Sequence, residues 1–197
     1  RWIEERTVIR TPYDDAPLAP EHLREIEGLL GTDFLRYYPR ESPEGSWIAD
    51  GLVSANRQQS YNDARQIELG HWLRFSRSEA RERGDGLTAE GLGLSGLARF
   101  VWYAFMNQDD ARANSFRERG IDKAREQVDG CSGFFLVCSD DGSVASLLEA
   151  GRRFERLALA CARLEIALHP MSQLLEESPW KEEIVATLMN HRVVVIS

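Results

Sequence analysis

Apolar side chains recur at helical spacing over two stretches of the chain. In residues 19–30, leucines and an isoleucine form one stripe, Pro20 opens the segment and Gly31 closes it. The longer stretch starts after Ser143, a typical N-cap residue, and its apolar positions continue at the same spacing to Leu164. The sequence therefore predicts two helices, the second of them long and largely buried.

Weaker patterns predict the other helices and the segments that connect them. Further helices are predicted over 53–75, 97–106 and 111–128 and from Pro179 onward. Two prolines and two glycines in residues 39–51 predict a loop. Five glycines and many charges in residues 77–96 predict a mobile excursion or a lid.

Two short apolar runs are typical of buried strands. Gly133–Cys138 holds no polar side chain, which predicts a strand buried on both faces, and 192–196 predicts another strand. Few strands, widely separated among many helices, favour an α+β fold in which helices cover a small mixed or antiparallel sheet. We expect residues 1–197 to form a single domain.

The charge of the chain limits its partners. The formal net charge of −8 does not suit binding to nucleic acid or to an anionic membrane, because those surfaces are bound by clustered cations. No run of residues approaches the ~20 apolar positions of a membrane span. A local basic pocket for one small anion stays compatible with this composition.

Cysteine usage indicates the compartment. Cys131, Cys138 and Cys161 each lie within an apolar run, where cysteine usually behaves as a small buried hydrophobe. Their number and spacing do not fit a disulfide framework. A reducing, cytoplasmic setting is therefore expected.

The sequence carries few of the motifs that mark catalytic sites. It contains no P-loop, no G-x-S-x-G and no C-x-x-C, and its four histidines lack metal-ligand spacing. Carboxylates are abundant, but no pair of them is singled out for acid–base work. We therefore predict no metal site and assign no catalytic residue.

Arg6 and Arg10 are the candidates for binding an anion. Two guanidinium groups four residues apart can lie on one side of a helical turn or tight loop and donate hydrogen bonds to one anion. A pair of solvated surface arginines has the same residue types at the same spacing. Residue type alone leaves both interpretations open.

The segment that holds these arginines resembles the basic signature near the start of nitroreductases. Arg6 and Arg10 match the first and last basic positions of that signature, and Tyr13-Asp14 matches the aromatic and acidic pair that follows. In that family the basic side chains contact the phosphate, the ribityl chain and the pyrimidine edge of FMN. The resemblance assigns four residues of this segment to an FMN site: Arg6, Thr7, Val8 and Arg10.

The segment after the long helix resembles the back half of the same fold. His169–Gln173 is similar to the two-half, Acg-type branch of nitroreductase-like proteins, in which the preceding long helix forms much of the interface between halves. In that family this segment lies beside the N5 and O4 edge of the flavin. The resemblance adds four residues to the FMN site: Pro170, Met171, Ser172 and Gln173.

The resemblance implies an FMN-binding oxidoreductase with a nitroreductase-like fold. NAD(P)H would reduce the flavin, which would pass electrons to a nitroaromatic or quinone-like acceptor. The flavin would lie between two similar halves, in a homodimer or in an intrachain pseudo-dimer whose other half precedes this sequence. The alternative is an Acg-type protein that sequesters FMN with little reductase activity and uses residues 77–96 as a lid. A third interpretation is an interaction module with a vestigial flavin site.

Two parts of the family pattern are missing. The flavin segment Ser-x-x-Asn-x-Gln-Pro-Trp is not found, and Ser54–Gln59 matches it only faintly because no Pro-Trp follows. The basic residues that usually come after the last strand are also missing. We therefore expect a complete FMN site to need the other half or a partner subunit.

Overall fold

The computed structural model describes residues 1–14 and 16–188. Its α-helices are α1 (Trp2–Glu5), α2 (Pro20–Leu30), α3 (Pro43–Ser60), α4 (Asp63–Trp72), α5 (Arg77–Arg83), α6 (Gly96–Phe105), α7 (Asn114–Asp129), α8 (Val144–Arg163), α9 (Gln173–Glu176) and α10 (Trp180–Leu188). A 3-10 helix covers Gln108–Arg112, and the strands are β1 (Leu35–Pro39) and β2 (Gly133–Val137).

These elements form an α+β structure that is 61% helical. The two strands pair antiparallel, with Leu35 opposite Val137 and Tyr37 opposite Phe135. The sequence predicted β2 but missed β1. The first three residues of β2 are only half-buried, so the expectation of a strand buried on both faces was wrong. The second predicted strand, 192–196, lies outside the described residues.

The chain divides into two compact units. The first consists of Arg1–Ala55 with the described residues from Gln127 onward, and the second of Asn56–Glu126. Whether the two act as the single domain expected from the sequence stays a prediction. The first unit contains both strands and every residue that the resemblance assigns to the FMN site.

The core of the first unit lies between the sheet and two helices. Leu35 of β1 and Val137 of β2 are neighbours across the sheet, and both pack against α2 and α8. Helix α8 contributes Leu157 and Cys161 to this core. Burial of such side chains stabilises the fold by roughly 1.5–3 kcal/mol each. The amphipathic pattern that predicted α2 and α8 therefore describes the faces that these helices bury.

The second unit has a core of its own around Trp102 of α6. The indole ring stacks on Phe75 with ring centroids 4.9 Å apart, and its Nε1 donates to the backbone oxygen of Arg74 at 2.9 Å. The segment 77–96, expected to be an excursion or a lid, begins with α5 and then packs Leu87 and Ala89 into this core. Its role as a lid stays a prediction.

The expectation of a loop over residues 39–51 was wrong, because α3 begins at Pro43. The Ser42 hydroxyl accepts the backbone N–H of Gly45, which caps the first turn. The glycines serve close packing: a Cβ at Gly51 would lie 2.4 Å from Cδ1 of Leu174. Glycine at such a site allows two elements to pack closely. The sequence pattern alone cannot distinguish a glycine needed for close packing from a glycine in a turn.

The single helix predicted over residues 53–75 is two helices, α3 and α4. The break lies at Asn62, whose side-chain oxygen accepts the backbone N–H groups of Ala64 and Arg65. Asparagine competes well for such an N-cap position. The helices predicted around 97–106 and 111–128 are confirmed as α6 and α7, and the last helix as α10.

Helix α8 begins and ends with recognisable caps. Its start is as predicted, since the Ser143 hydroxyl accepts the backbone N–H of Ser146. At its end the Ile166 N–H donates to the Cys161 oxygen at 2.9 Å, as in a Schellman motif. Glu165 adopts a φ of 57°, the left-handed conformation that this motif normally gives to glycine. A side chain at this position strains the backbone.

Glu165→Gly is therefore expected to stabilise the ligand-free protein by about 0.5–1 kcal/mol, since relief of left-handed strain outweighs the added freedom of the unfolded chain. The free energy of unfolding from urea titration measures this effect. Glu177→Gly is the matched control, because Glu177 ends α9 with a φ of −115° and gains nothing from glycine. If Glu165→Gly destabilises the protein as much as the control does, the strain argument is wrong.

Candidate functional site

The two segments assigned to the FMN site by resemblance lie side by side in the first unit. The backbone N–H of Ile9 donates to the backbone oxygen of Leu168 at 3.0 Å. This contact joins the segment that follows α1 to the segment that follows α8. Two cavities border the joined segments and share Ile9, Leu168 and Pro170 among their lining residues.

The larger cavity encloses about 520 Å³. That volume is within the range of small-molecule and cofactor sites, roughly 300–1,000 Å³. Its wall includes Tyr37 and Phe135, which face each other across the sheet with ring centroids 5.0 Å apart. A Cβ at Gly133 would lie 2.5 Å from the Tyr37 hydroxyl oxygen, so the sheet needs glycine there to seat this tyrosine. The cavity therefore offers aromatic and apolar surface to a flat ligand.

The Tyr13 and Tyr37 hydroxyls and the Cys131 thiol, which line the larger cavity, are neutral and already hydrogen-bonded. The Tyr13 hydroxyl donates to the Ile9 oxygen, and the Tyr37 hydroxyl donates to the Ser132 oxygen, each at 2.9 Å. Burial raises the pKa of Tyr13 to about 12 and also raises the pKa of Tyr37 and of the Cys131 thiol. At neutral pH these groups keep their protons, so Cys131 is a weak nucleophile.

Gln127 is a polar residue of this cavity whose side chain has an unused hydrogen-bonding group. It lies in the last turn of α7, and the residue is 5% exposed. Among the described residues, its side-chain Nε2 is buried and has no hydrogen-bond partner. Unpaired buried amide groups are uncommon in folded proteins. This side-chain amide is therefore a hydrogen-bonding group in the wall of the larger cavity that has no partner among the described residues.

The smaller cavity encloses about 340 Å³ and carries the first predicted segment. Arg6, Thr7 and Val8 line it, together with residues that follow α8. The Arg6 Nε lies 3.0 Å from Oε1 of Glu155, and both side chains are more than a third exposed. Such an exposed ion pair contributes only about 0.2–1 kcal/mol. An incoming anion can therefore compete with Glu155 for the guanidinium group.

Some of the eight predicted site residues line the smaller cavity, some line the larger cavity, and some line neither. Those lining the smaller cavity are Arg6, Thr7, Val8 and Pro170. Pro170 also lines the larger cavity, together with Met171. Three of the predicted residues line neither cavity: Arg10, Ser172 and Gln173.

Arg10, Ser172 and Gln173 lie close to residues that line the cavities. The Ser172 hydroxyl donates to Oε1 of Glu176 at 2.7 Å, and Gln173 is the first residue of α9. Arg10 lies close enough to Tyr13 for its charge to oppose the rise in that pKa. The structure therefore brings part of each predicted segment to the cavities and leaves these three outside their walls.

Sequence reasoning missed several residues of the larger cavity. Gln127 occurs in a polar helix whose pattern is typical of a solvated face, and His22 occurs in the first turn of α2. Tyr37 belongs to the strand that was not predicted. No spacing in the sequence marks these residues, because only the packing of their elements places them around one cavity.

Gly91–Gly96 has the spacing G-x-G-x-x-G and leads into α6. A dinucleotide-binding loop needs this spacing directly after a strand of a parallel sheet. In the described chain the segment follows only the isolated bridge between Leu73 and Leu87. The segment instead packs leucines against the core of the second unit. The motif lacks the context that a nucleotide site requires.

Residues 1–14 and 16–188 contain neither a metal-binding cluster nor a membrane-spanning helix. No group of three or more His, Cys, Asp and Glu side chains in these ranges is arranged to hold a metal ion. None of the helices in these ranges combines the length and apolar character needed to cross a membrane. Cys131, Cys138 and Cys161 are not joined in disulfides; the last two are buried, as expected, and Cys131 is half-buried.

Comparison with known proteins adds no relative. No protein-family model, no curated protein and no solved structure matches this chain.

Proposed function

We propose that this protein binds FMN and uses it in NAD(P)H-dependent electron transfer to nitroaromatic or quinone-like acceptors. The observation that carries the proposal is the hydrogen bond between Ile9 N–H and the Leu168 oxygen. It brings together two segments, more than 150 residues apart, that resemble the two FMN-binding segments of nitroreductases. Chance matches to unrelated segments have no reason to meet in the fold.

The donors and surfaces of the first unit suit the parts of FMN. Arg6 and Thr7 offer a guanidinium group and a hydroxyl group to a phosphate. The larger cavity offers tyrosine and phenylalanine side chains, whose wide apolar surfaces suit a flat ring system. The unpaired Gln127 amide supplies a polar contact that this ring system needs at one edge.

FMN would supply the hydride and electron transfer chemistry, and this chain would bind, orient and shield it. The neutral state of Tyr13, Tyr37 and Cys131 keeps the larger cavity free of competing anionic groups from these three side chains. A cation such as Arg6 favours an anionic ligand group near it. No side chain is required to act as a general acid or base in this proposal.

The full-length protein, purified without added flavin, is expected to be yellow, with an absorbance maximum near ~450 nm, and to release FMN on heating. Anaerobic NAD(P)H should then bleach this absorbance. Yellow protein that dithionite bleaches but NAD(P)H does not would favour the FMN-sequestering alternative. Colourless protein with no thermal shift in excess FMN would contradict both.

The proposal includes a second nitroreductase-like half. Helix α6 exposes Leu97, Phe100 and Phe105, each more than 60% accessible, and an apolar stripe of this size marks an interaction surface. In the same sedimentation run, the flavin absorbance should move with a dimer of chains or with one chain that holds both halves. A yellow species containing one half alone would contradict this part. Ala160 of α8 is 4% exposed and belongs to the core, so it is not part of an exposed edge of that helix.

A further inference from the structure

We propose that Gln127 is the residue that selects the ligand of the larger cavity, by a hydrogen bond from its side-chain amide to the polar edge of a flat aromatic ring system. This inference rests on the proposed function, because it takes the ring system to be that of a flavin. The juxtaposition that carries it is an unpaired amide, on a residue that is 95% buried, in the wall of an aromatic cavity of about 520 Å³.

Three other donors that line this cavity are already used in hydrogen bonds within the protein. The Tyr13 and Tyr37 hydroxyls donate to backbone oxygens, and the Cys131 thiol donates to the Val128 oxygen. Each of these hydrogen bonds joins residues of the cavity wall to one another. The Gln127 Nε2 has no such partner among the described residues. A buried amide without a partner is destabilising on its own, and a ligand that pairs with it removes that penalty.

The chemistry of the amide defines the class of ligand. The Nε2 group donates, so it pairs with a carbonyl oxygen or a ring nitrogen. Oxygen and nitrogen of a glutamine amide exchange places on rotation, and the rotated amide pairs with an N–H group instead. The pyrimidine edge of a flavin presents carbonyl oxygens on either side of an N–H, so it complements either orientation. A purely apolar aromatic ring leaves the amide unpaired and is disfavoured.

The test compares Gln127→Leu with the wild type in the full-length protein. Leucine keeps much of the volume and removes both polar atoms. The dissociation constants of FMN and of riboflavin, measured by quenching of flavin fluorescence, are expected to rise about tenfold each, because both ligands carry the same ring edge. The ligand-free melting temperature is expected to stay the same or rise, because the variant removes an unsatisfied buried group.

Gln58→Leu, on the exposed surface of α3, is the matched control and should change neither affinity. Flavin affinities of Gln127→Leu equal to those of the wild type would overturn this inference alone. A ligand-free melting temperature below that of the control would also overturn it, because the amide would then have a structural partner. Failure of the wild type to bind any flavin would overturn the proposed function together with this inference.

Discussion

Arg6→Ala is expected to weaken FMN binding by roughly 10- to 150-fold and to leave riboflavin binding unchanged. Arg6 lines the smaller cavity, where its guanidinium group can donate to a phosphate. A hydrogen bond to a charged group contributes about 1.5–3 kcal/mol, and each 1.4 kcal/mol is about tenfold in affinity. Riboflavin lacks the phosphate, so the ratio of the two dissociation constants isolates this contact. Fluorescence titration of both flavins measures it.

Three variants control this prediction. Glu155→Gln removes the competing carboxylate and should tighten FMN binding by about 1.4- to 5-fold, the range of an exposed ion pair. Arg24→Ala changes the same charge on the exposed side of α2 and should have little effect. Arg10 lines neither cavity but is assigned to the FMN site by the resemblance, so Arg10→Ala tests that assignment and should weaken FMN binding more than Arg24→Ala does. Equal losses for FMN and riboflavin in Arg6→Ala would show that Arg6 does not contact the phosphate.

Asp85→Asn is expected to lower the stability of the second unit by about 2–3 kcal/mol. Its partner, Arg74, is 1% exposed, and the Arg74 Nη2 lies 2.6 Å from Oδ1 of Asp85. The Arg74 guanidinium also donates to the backbone oxygens of His71 and Leu73. Removing the Asp85 charge leaves the buried Arg74 cation with only the more distant carboxylate of Glu79, whose Oε1 lies 4.0 Å from Nη1. Half-exposure of Asp85 keeps the effect below that of a fully buried pair.

Hydrogen exchange locates this loss within the chain. The Arg74 N–H donates to the Leu87 oxygen and the Leu87 N–H donates to the Trp72 oxygen, each at 2.8 Å, so both amides should exchange faster in Asp85→Asn. Asp122→Asn, at an exposed position of α7, is the matched control. Unchanged exchange at Arg74 and Leu87 would mean that solvent, and not Asp85, satisfies the Arg74 charge.

Local patterns predicted the helices well where one helix buries one face. Helices α2, α6 and α8 follow the spacing of their apolar residues, and Ser143 caps α8 as its side chain predicts. Local patterns gave a wrong prediction where one residue type is found both in loops and in helices. Proline and glycine occur in loops but also in the first turn of a helix and at close contacts between elements, as Pro43 and Gly51 do, so residues 39–51 were wrongly predicted.

The candidate site was predicted only in part. Resemblance singled out the segments on either side of the Ile9–Leu168 contact, but the cavities they border depend on how distant elements pack. Gln127 shows the difference: it occurs in a helix rich in polar residues, yet the residue is buried in the wall of the larger cavity.

The sequence by itself determined the α+β class, the strand β2 and the caps and faces of the long helices, because these depend on side chains within a few residues of one another. Only the tertiary structure decided the pairing of β1 with β2, the strain at Glu165 and the composition of the cavities. The contact of Tyr37 with Ser132 spans 95 residues. No local spacing encodes such a meeting, because it forms only when the burial of both elements favours the same packed core.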